Sequence, residues 1–138
     1  FDLDRFYAEA RRVLRPGGLL VAWTYNLLSV TPAVDALVHG LYHGALRDHW
    51  PPARRLVEDG YASLPFPFTP LQAPDCAMSA SWDVEQLLGY LRTWSAVGAC
   101  MAAGLPDPVA AIEAELRAAW GQGERPVQWP LAIRAGTA

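Results

Sequence analysis

The stretch "RRVLRPGGLLVAWTY", Arg11 to Tyr25, joins the end of a helix to a strand through a proline and two glycines. Proline and paired glycines stop a helix. The seven residues that follow, 19–25, are apolar or aromatic except for Thr24. An unbroken apolar run of this length is typical of a strand covered on both faces, as in the middle of a parallel sheet. The stretch therefore predicts an α/β fold.

The direction of this turn decides whether it can bind an anion. A phosphate-binding loop places its glycines between a strand and the N-terminus of the next helix, where free N–H groups face the ligand. Here the glycines follow a helix, whose carboxyl end repels anions. The turn is therefore predicted to be structural. Ligands of open α/β sheets bind at the carboxyl ends of strands, so Trp23, Thr24 and Tyr25 become candidates for a substrate site.

The rest of the chain continues the α/β pattern, with helical spacing and period-two alternation following one another. Residues 49–76 are rich in proline, and a stretch of about residues 49–80 is predicted to form an irregular cover. Pro130 lacks an N–H, so the last strand is expected at a sheet edge or a bulge. The predicted elements after Tyr25 are an amphipathic helix opening at Thr31-Pro32, a short helix near Ala53–Asp59, a strand at residues 76–81, helices capped by Ser81 and by Asp107, and a strand at residues 127–133.

Composition and charge exclude several classes of function. The net charge is −3, and the eleven basic residues, all arginines, are scattered along the chain. Phosphate-backbone binding needs a basic stripe, so no nucleic-acid partner is expected. The apolar runs are far shorter than the ~20 residues that span a bilayer. The first residues lack the features of a signal peptide. We therefore expect no membrane partner and a cytoplasmic location.

Metal-binding and catalytic patterns are weak. His39 and His43 share a helix face at a spacing that suits a metal, but the glutamate of the HExxH motif is absent. The pair lies off the apolar stripe of its helix, so we expect two solvent-facing histidines and no metal. The sequence assigns no catalytic residue.

Four stretches carry a resemblance to a known family. "FDLDRFYAEARRVLRPGGLLVAWTY" resembles the region from the end of strand four to strand five in class I S-adenosylmethionine-dependent methyltransferases, where a helix ending R-V-L-(R/K)-P-G-G leads into the fifth strand. "HWPPARRLVEDGYASLPFPF", "LLGYLRTWSA" and "ERPVQWPLAIRAG" resemble the branch related to trans-aconitate methyltransferase, called methyltransferase type 11. Together they cover nearly the whole chain.

The resemblance implies that residues 1–138 are a single partial domain, the C-terminal half of a Rossmann-like methyltransferase fold. That half carries strands five to seven with flanking helices, and residues 49–80 form its substrate-side cover. The glycine-rich cofactor loop and the acidic residue that grips the ribose have no match in the chain. Because the chain begins at Phe1 without an initiator methionine, we expect a missing N-terminal half of the same fold to be its partner.

The function implied by the resemblance is transfer of a methyl group from S-adenosylmethionine to a small-molecule acceptor. A sulfonium is an activated donor, so such an enzyme mainly aligns the reactants and excludes water. Phe1 and Asp2 match the tail of a family segment beside the cofactor, which makes them candidates for cofactor binding. The chain alone is expected to be inactive. A non-catalytic α/β module that pairs with a partner chain is the alternative.

The resemblance also bears on the substrate-binding candidates. Trp23, Thr24 and Tyr25 match the end of strand five, at the rim of the pocket. If the acceptor is a carboxylate, an arginine should face that pocket, because a guanidinium fork suits a carboxylate. The candidates for this role are Arg92, Arg54 and Arg55, of which we assign Arg92 to the substrate-binding set. Trp94 completes the predicted substrate-binding set: Trp23, Thr24, Tyr25, Arg92 and Trp94.

Overall fold

The structure is a computed structural model that describes residues 2–138. The chain divides into two compact units. The first contains residues 2–26, Arg55–Cys76 and Pro130–Ala138, and the second contains Leu27–Arg54 and Ala77–Trp129. The helices are α1 (Leu3–Val13), α2 (Pro32–Gly40), α3 (Arg54–Glu58), α4 (Val84–Arg92), α5 (Ser95–Ala102) and α6 (Pro108–Trp120). The strands are β1 (Leu19–Tyr25), β2 (Thr69–Leu71), β3 (Cys76–Trp82) and β4 (Arg125–Thr137).

The proline-glycine turn joins α1 to β1, as predicted. The Asp2 side chain caps α1 by accepting a hydrogen bond from the backbone N–H of Arg5 at 2.9 Å. Gly17 has a φ of +74°, a conformation that favours glycine. Its N–H donates to the carbonyl of Ala138 at 3.2 Å, and the Ala138 N–H donates to the carbonyl of Gly18 at 3.0 Å. The turn is thus tied to the end of β4, and its Gly17 N–H already has a partner.

The strand pairings differ from the parallel arrangement predicted for β1. β1 pairs antiparallel with β4, from Leu19 opposite Thr137 to Tyr25 opposite Leu131. β2 pairs antiparallel with β4 on its other side, and β3 also pairs with β4. Of the two alternatives predicted for the last strand, an edge position or a bulge, the edge position is therefore wrong. Pro130 precedes the first residue of β4 that pairs with β1, so its missing N–H removes no hydrogen bond from that ladder.

The two faces of β1 differ in exposure, and the prediction of cover on both faces is wrong for this chain. Leu19, Val21 and Trp23 project from one face and are 54%, 45% and 53% exposed. Thr24 projects from the other face and is only 8% exposed. A contiguous patch of large exposed apolar side chains is unusual on a folded protein and indicates a surface that packs against something else. β1 is therefore covered on one face only.

The covered face of the sheet packs against residues 56–68, which we call the 56–68 segment. A Cβ on Gly60 would lie 2.8 Å from the Cβ of Ala132. Arg134 donates hydrogen bonds from Nη1 to backbone carbonyls of the segment. A Cβ on Gly136 would lie 2.8 Å from Cε1 of Phe66. Small residues on either side of one arginine thus let the segment lie directly on β4.

The second unit contains an extended hydrophobic core built mainly from helices. Its buried residues are Leu28, Val34, Val38, Leu41, Leu46, Leu87, Leu88, Leu91, Ala96, Val97, Cys100, Val109, Leu116, Trp120, Val127 and Trp129. The predicted helix openings at Thr31 and Asp107 are confirmed, because each side chain accepts a backbone N–H. No helix described between residues 2 and 138 is long and apolar enough to cross a membrane.

One local prediction in the second unit is wrong. The helix assigned to Ser81 is capped by Asp83, which forms a reciprocal capping box with Gln86. Ser81 lies in β3 and donates its hydroxyl to Glu124 at 2.8 Å. Capping depends on which of two neighbouring polar residues faces the helix N–H groups, and the sequence alone leaves that choice open.

We predict that Gly136→Ala destabilises the fold. The added methyl group would meet Phe66, the Phe68 Cβ and the Thr69 carbonyl oxygen at 2.8–2.9 Å, and overpacking of this kind costs about 1–3 kcal/mol. The matched control is Gly89→Ala in the interior of α4, where nothing lies within 4 Å of the new Cβ. The control should gain up to ~1 kcal/mol from helix propensity. Urea unfolding measures both, and equal stability of the two variants would contradict the packing described for β4.

Candidate functional site

A cavity of about 220 Å³ lies at the carboxyl end of β1, within the first unit. Three parts of the chain form its walls: the end of β1 with the next residue, the end of α3 with the turn after it, and the middle of β4. The lining residues are Thr24, Tyr25, Asn26, Val57, Glu58, Gly60, Pro130, Leu131 and Ala132. The structure thus brings Thr24 and Tyr25 together in a cavity at the strand end, the part of an α/β sheet where ligands bind. We call it the Thr24 cavity.

Thr24 is the buried polar residue of this cavity. It stands opposite Ala132 in the β1–β4 ladder and is 8% exposed. Among residues 2–138 its hydroxyl has no hydrogen-bond partner. Among the described residues, Trp129 Nε1 is the buried side-chain polar atom without a partner, so the Thr24 hydroxyl still reaches solvent, and a small polar ligand in the cavity could hydrogen-bond to it. The Thr24 hydroxyl is therefore the group in this cavity most suited to ligand recognition.

The wall opposite Thr24 is shaped by the turn after α3. Gly60 and Tyr61 have φ values of +63° and +64°, so two successive residues adopt the left-handed conformation. Gly60 packs on Ala132 so closely that a Cβ would clash at 2.8 Å. The side-chain amide of Asn26 donates to the backbone carbonyl of Glu58 at 3.2 Å, joining the end of β1 to the end of α3. The cavity thus depends on the tight approach of α3 to the sheet.

The Thr24 cavity has no arginine among its lining residues. A carboxylate bound there would lack the guanidinium fork that suits it. The Asn26 side-chain amide already donates to the Glu58 carbonyl, so the Thr24 hydroxyl is the neutral group that we consider for ligand binding in this cavity.

The other N-terminal candidates lie elsewhere. Trp23 projects from the exposed face of β1 and does not line the Thr24 cavity. The Asp2 carboxylate caps α1, so one of its oxygens already accepts a hydrogen bond. Phe1 lies outside the described residues. The prediction of cofactor binding by Phe1 and Asp2 stays a prediction.

Arg92 belongs to an ion-pair network of the second unit. Its guanidinium donates to Glu113 at 2.8 Å and to Asp107 at 3.3 Å. Glu113 also accepts from Arg117 at 2.7 Å, and Arg117 pairs with Glu85. A hydrogen bond from Arg117, the larger effect, and one from Arg92 hold the pKa of Glu113 below its usual value of 4.5. The Arg92 guanidinium is thus engaged by two carboxylates of its own chain.

Trp94 and Arg54 take part in an aromatic cluster of the second unit. Trp94 lies with its ring 5.8 Å from the ring of Tyr42 and 5.6 Å from that of Trp50, measured between centroids. Arg54 lies over the Trp50 ring at 5.1 Å and donates from Nε to the Tyr42 hydroxyl at 2.6 Å. Aromatic stacking and cation–π contact stabilise such a group. Arg55 is exposed and belongs to the first unit.

The two histidines are placed as their spacing predicts. The rings of His39 and His43 lie 5.9 Å apart between centroids, and both residues are exposed. Within residues 2–138, no three side chains of histidine, cysteine, aspartate or glutamate are grouped so that they could hold a metal ion.

Arg134 is a residue that the sequence analysis did not single out. It lines a second cavity of the first unit, of about 330 Å³, whose other walls are mostly aromatic and aliphatic. The signal in the sequence is a single arginine in the otherwise uncharged stretch "VQWPLAIRAG". Such an arginine equally suits an exposed strand position, so the pattern alone does not reveal the cavity.

No family model matches the chain, and two of the known proteins that it resembles both carry the name of a methyltransferase. Over 123 residues the chain is 31% identical to a Dictyostelium discoideum protein named "Putative methyltransferase", covering 87% of this chain and 47% of that protein. A solved structure of a "Putative Type II Methyltransferase" from Anaeromyxobacter dehalogenans shares 53% identity with a TM-score of 0.92, covering 99% of this chain and 59% of that one.

These matches indicate the broad class of protein to which the chain is related. The chain spans about half the length of the curated relative it matches. Its mixed α/β architecture with antiparallel strands on β4 corresponds over almost its full length to the Anaeromyxobacter structure. At this level of identity the likeness reflects common ancestry as well as a common fold. The chain is thus a homologue of proteins named as methyltransferases.

We predict that Thr24→Val leaves stability unchanged or raises it slightly, because the hydroxyl that is lost has no partner in the described chain and the volume is kept. The control is Thr31→Val, which removes the N-cap acceptor for the Val34 N–H and should cost about 1 kcal/mol. Thermal unfolding compares the two. A loss at Thr24 as large as that at Thr31 would show that the Thr24 hydroxyl is bonded within the protein.

We also predict a pH-dependent effect of Glu113→Gln. A carboxyl whose pKa is lowered on folding stabilises the folded state above its unfolded pKa, and this contribution disappears as the pH falls through the lowered folded value. The wild type should therefore be more stable than the variant at pH 7, and the difference should vanish in acid below 4.5. The control is Glu115→Gln, at a carboxylate that forms no ion pair within residues 2–138. Urea midpoints from pH 2 to 7 provide the measurement, and a pH-independent difference would contradict the ion-pair assignment.

Proposed function

We propose that this chain is the C-terminal part of a class I S-adenosylmethionine-dependent methyltransferase and contributes the acceptor-binding part of a methyl-transfer site. The observation that carries the proposal is the match to the Anaeromyxobacter structure, at 53% identity over 99% of this chain. The helix ending in R-V-L-R-P-G-G before β1 supports the class. The branch related to trans-aconitate methyltransferase is the finer proposal, and it rests on the sequence resemblance alone.

The open side of β1 supports the proposal that another half of the fold completes this one. Among the described residues, β4 is the strand that β1 pairs with. The exposed face of β1 presents Leu19, Val21 and Trp23. A strand with an open edge and an apolar face is a template for further pairing and packing. An N-terminal half placed there would bury this surface.

The described residues do not fit S-adenosylmethionine by themselves. The only glycine-rich turn beside β1 follows a helix, and its Gly17 N–H donates to Ala138. The Asp2 carboxylate is engaged in capping α1. A glycine-rich loop from the other half of the fold would therefore have to hold the cofactor. When bound, the cofactor supplies an activated methyl group on its sulfonium.

The role of this chain's own residues is to bind and orient the acceptor. The Thr24 hydroxyl would hydrogen-bond to the acceptor, and the walls around it would exclude water, which favours transfer between aligned reactants. We favour a small neutral acceptor, because no arginine lines the Thr24 cavity. A carboxylate acceptor would need one of the predicted arginines, and Arg92 is paired with Glu113 and Asp107.

We predict that these 138 residues alone bind S-adenosylhomocysteine no more tightly than about millimolar, a binding free energy of ~−4 kcal/mol. The partner experiment replaces the matched 59% of the Anaeromyxobacter chain with this sequence. The resulting chimaera should fold and bind S-adenosylhomocysteine at micromolar concentration. Isothermal calorimetry measures both. Micromolar binding by the 138 residues alone, or a folded chimaera that binds nothing, would contradict the proposed division of the fold.

The second candidate is a non-catalytic α/β module that pairs with a partner chain, and the exposed apolar face of β1 favours it as well. The chimaera separates the two proposals. A chimaera that folds, binds S-adenosylhomocysteine and transfers its methyl group to an acceptor supports the enzyme. A stable complex between this chain and a partner, without any cofactor affinity, supports the module.

A further inference from the structure

The second cavity of the first unit combines an apolar interior with one positive charge. We call it the Arg134 cavity, and its volume is about 330 Å³. It lies beside the sheet face that the 56–68 segment covers, with Ala22 and Arg134 opposite each other in the β1–β4 ladder. Its principal lining residues are Phe6, Tyr7, Ala22, Tyr61, Phe66 and Arg134.

Arg134 is only partly used by the protein itself. Its Nη1 donates to the backbone carbonyls of Tyr61 and Leu64, the latter at 2.7 Å. Its Cζ lies 4.9 Å from the centre of the Phe66 ring. A guanidinium carries five N–H donors, and the two carbonyls occupy the nitrogen at one side of the fork. Within residues 2–138, Nε and Nη2 have no hydrogen-bond partner, and no carboxylate pairs with the group.

A structural role for Arg134 explains only part of this arrangement. The hydrogen bonds to the Tyr61 and Leu64 carbonyls use Nη1 of Arg134. They leave the Nε–Nη2 edge of this half-buried cation without a partner among the described residues and open to a ligand. That edge is one that a carboxylate binds with two parallel hydrogen bonds.

The walls of the Arg134 cavity are held in place by contacts within the first unit. Tyr61 has a φ of +64°, a strained conformation for a residue with a side chain, and Arg134 bonds its carbonyl. The Tyr7 hydroxyl donates to the Pro65 carbonyl at 2.7 Å, and the Tyr7 and Phe66 rings meet edge to face at 6.4 Å. Preformed walls reduce the ordering cost of binding a ligand.

From these observations we propose that the Arg134 cavity binds an organic monocarboxylate with an apolar, aromatic body. The Nε–Nη2 edge of Arg134 receives the carboxylate, and the rings of Phe6, Tyr61 and Phe66 surround the body. Apolar walls with one placed polar group are the usual design of a small-molecule site. This site is separate from the Thr24 cavity and does not depend on methyl transfer.

The test uses 3-phenylpropionate and its neutral analogue 3-phenylpropionamide, titrated into the 138-residue chain and followed by NMR. We expect chemical-shift changes at Ala22, Tyr61 and Arg134, including the Arg134 Nε–H. The acid should bind about tenfold more tightly than the amide, because the charged hydrogen bonds are lost with the amide. Equal affinity for acid and amide, shifts confined to the exposed face of β1, or no binding at all would overturn the proposal.

Two variants locate the site. Ala22→Leu fills the cavity while leaving the Arg134 hydrogen bonds in place, and it should weaken binding of the acid at least tenfold. The control Ala102→Leu, at an exposed position of α5, should bind as the wild type does. Arg134→Gln should remove the preference for acid over amide. If Arg134→Gln does not fold, Ala22→Leu and the chemical-shift changes of the wild type still test the location of the site. Unchanged affinity of folded Ala22→Leu for 3-phenylpropionate would contradict the proposal.

Discussion

The close approach of the 56–68 segment to β4 is the constraint on which the first unit depends. The approach is possible because Ala132 and Gly136 present little side-chain volume, so Gly60 and Phe66 can lie almost on the backbone of the strand. Arg134, between them, binds the backbone carbonyls of the segment. Gly60 and Ala132 line the Thr24 cavity, and Phe66 and Arg134 line the Arg134 cavity. Larger residues at these positions would move the walls of both.

The covered and open faces of β1 connect this packing to function. The covered face carries Thr24 into a cavity at the strand end, whereas the opposite face leaves Trp23 exposed. The second unit, in contrast, has a continuous apolar core of its own. An open apolar face is costly for a chain in water, since about 25 cal/mol is lost for each Å² left exposed. Under the proposal that the rest of a methyltransferase fold covers this face, the apolar side chains of β1 would be buried and this free-energy cost would disappear.

Local chemistry made much of the fold predictable. The predicted caps at Thr31 and Asp107 are correct because the capping oxygen and the N–H group it binds lie within three residues of each other. The same reasoning assigned the cap of α4 to Ser81, whereas the structure places Asp83 there. Both residues have a side-chain oxygen and lie close to the start of this helix in sequence. Of the predicted site, Thr24 and Tyr25 meet in one cavity. Arg92 instead pairs with Asp107 and Glu113. Neither these ion pairs nor the cavity at Arg134 could be predicted, because their contacts join residues that are distant in sequence.

By itself, the sequence determined the positions of most helices and strands, the structural nature of the proline-glycine turn and the resemblance to methyltransferases. Each of these follows from residues a few positions apart or from a contiguous motif. The tertiary structure decided that β4 pairs with β1, β2 and β3, that β1 is covered on one face, and that Arg134 lines a cavity. An apolar run looks the same whether one face or two are buried. Its burial depends on which distant residues pack against it, and in this chain residues 56–68 reach only one side.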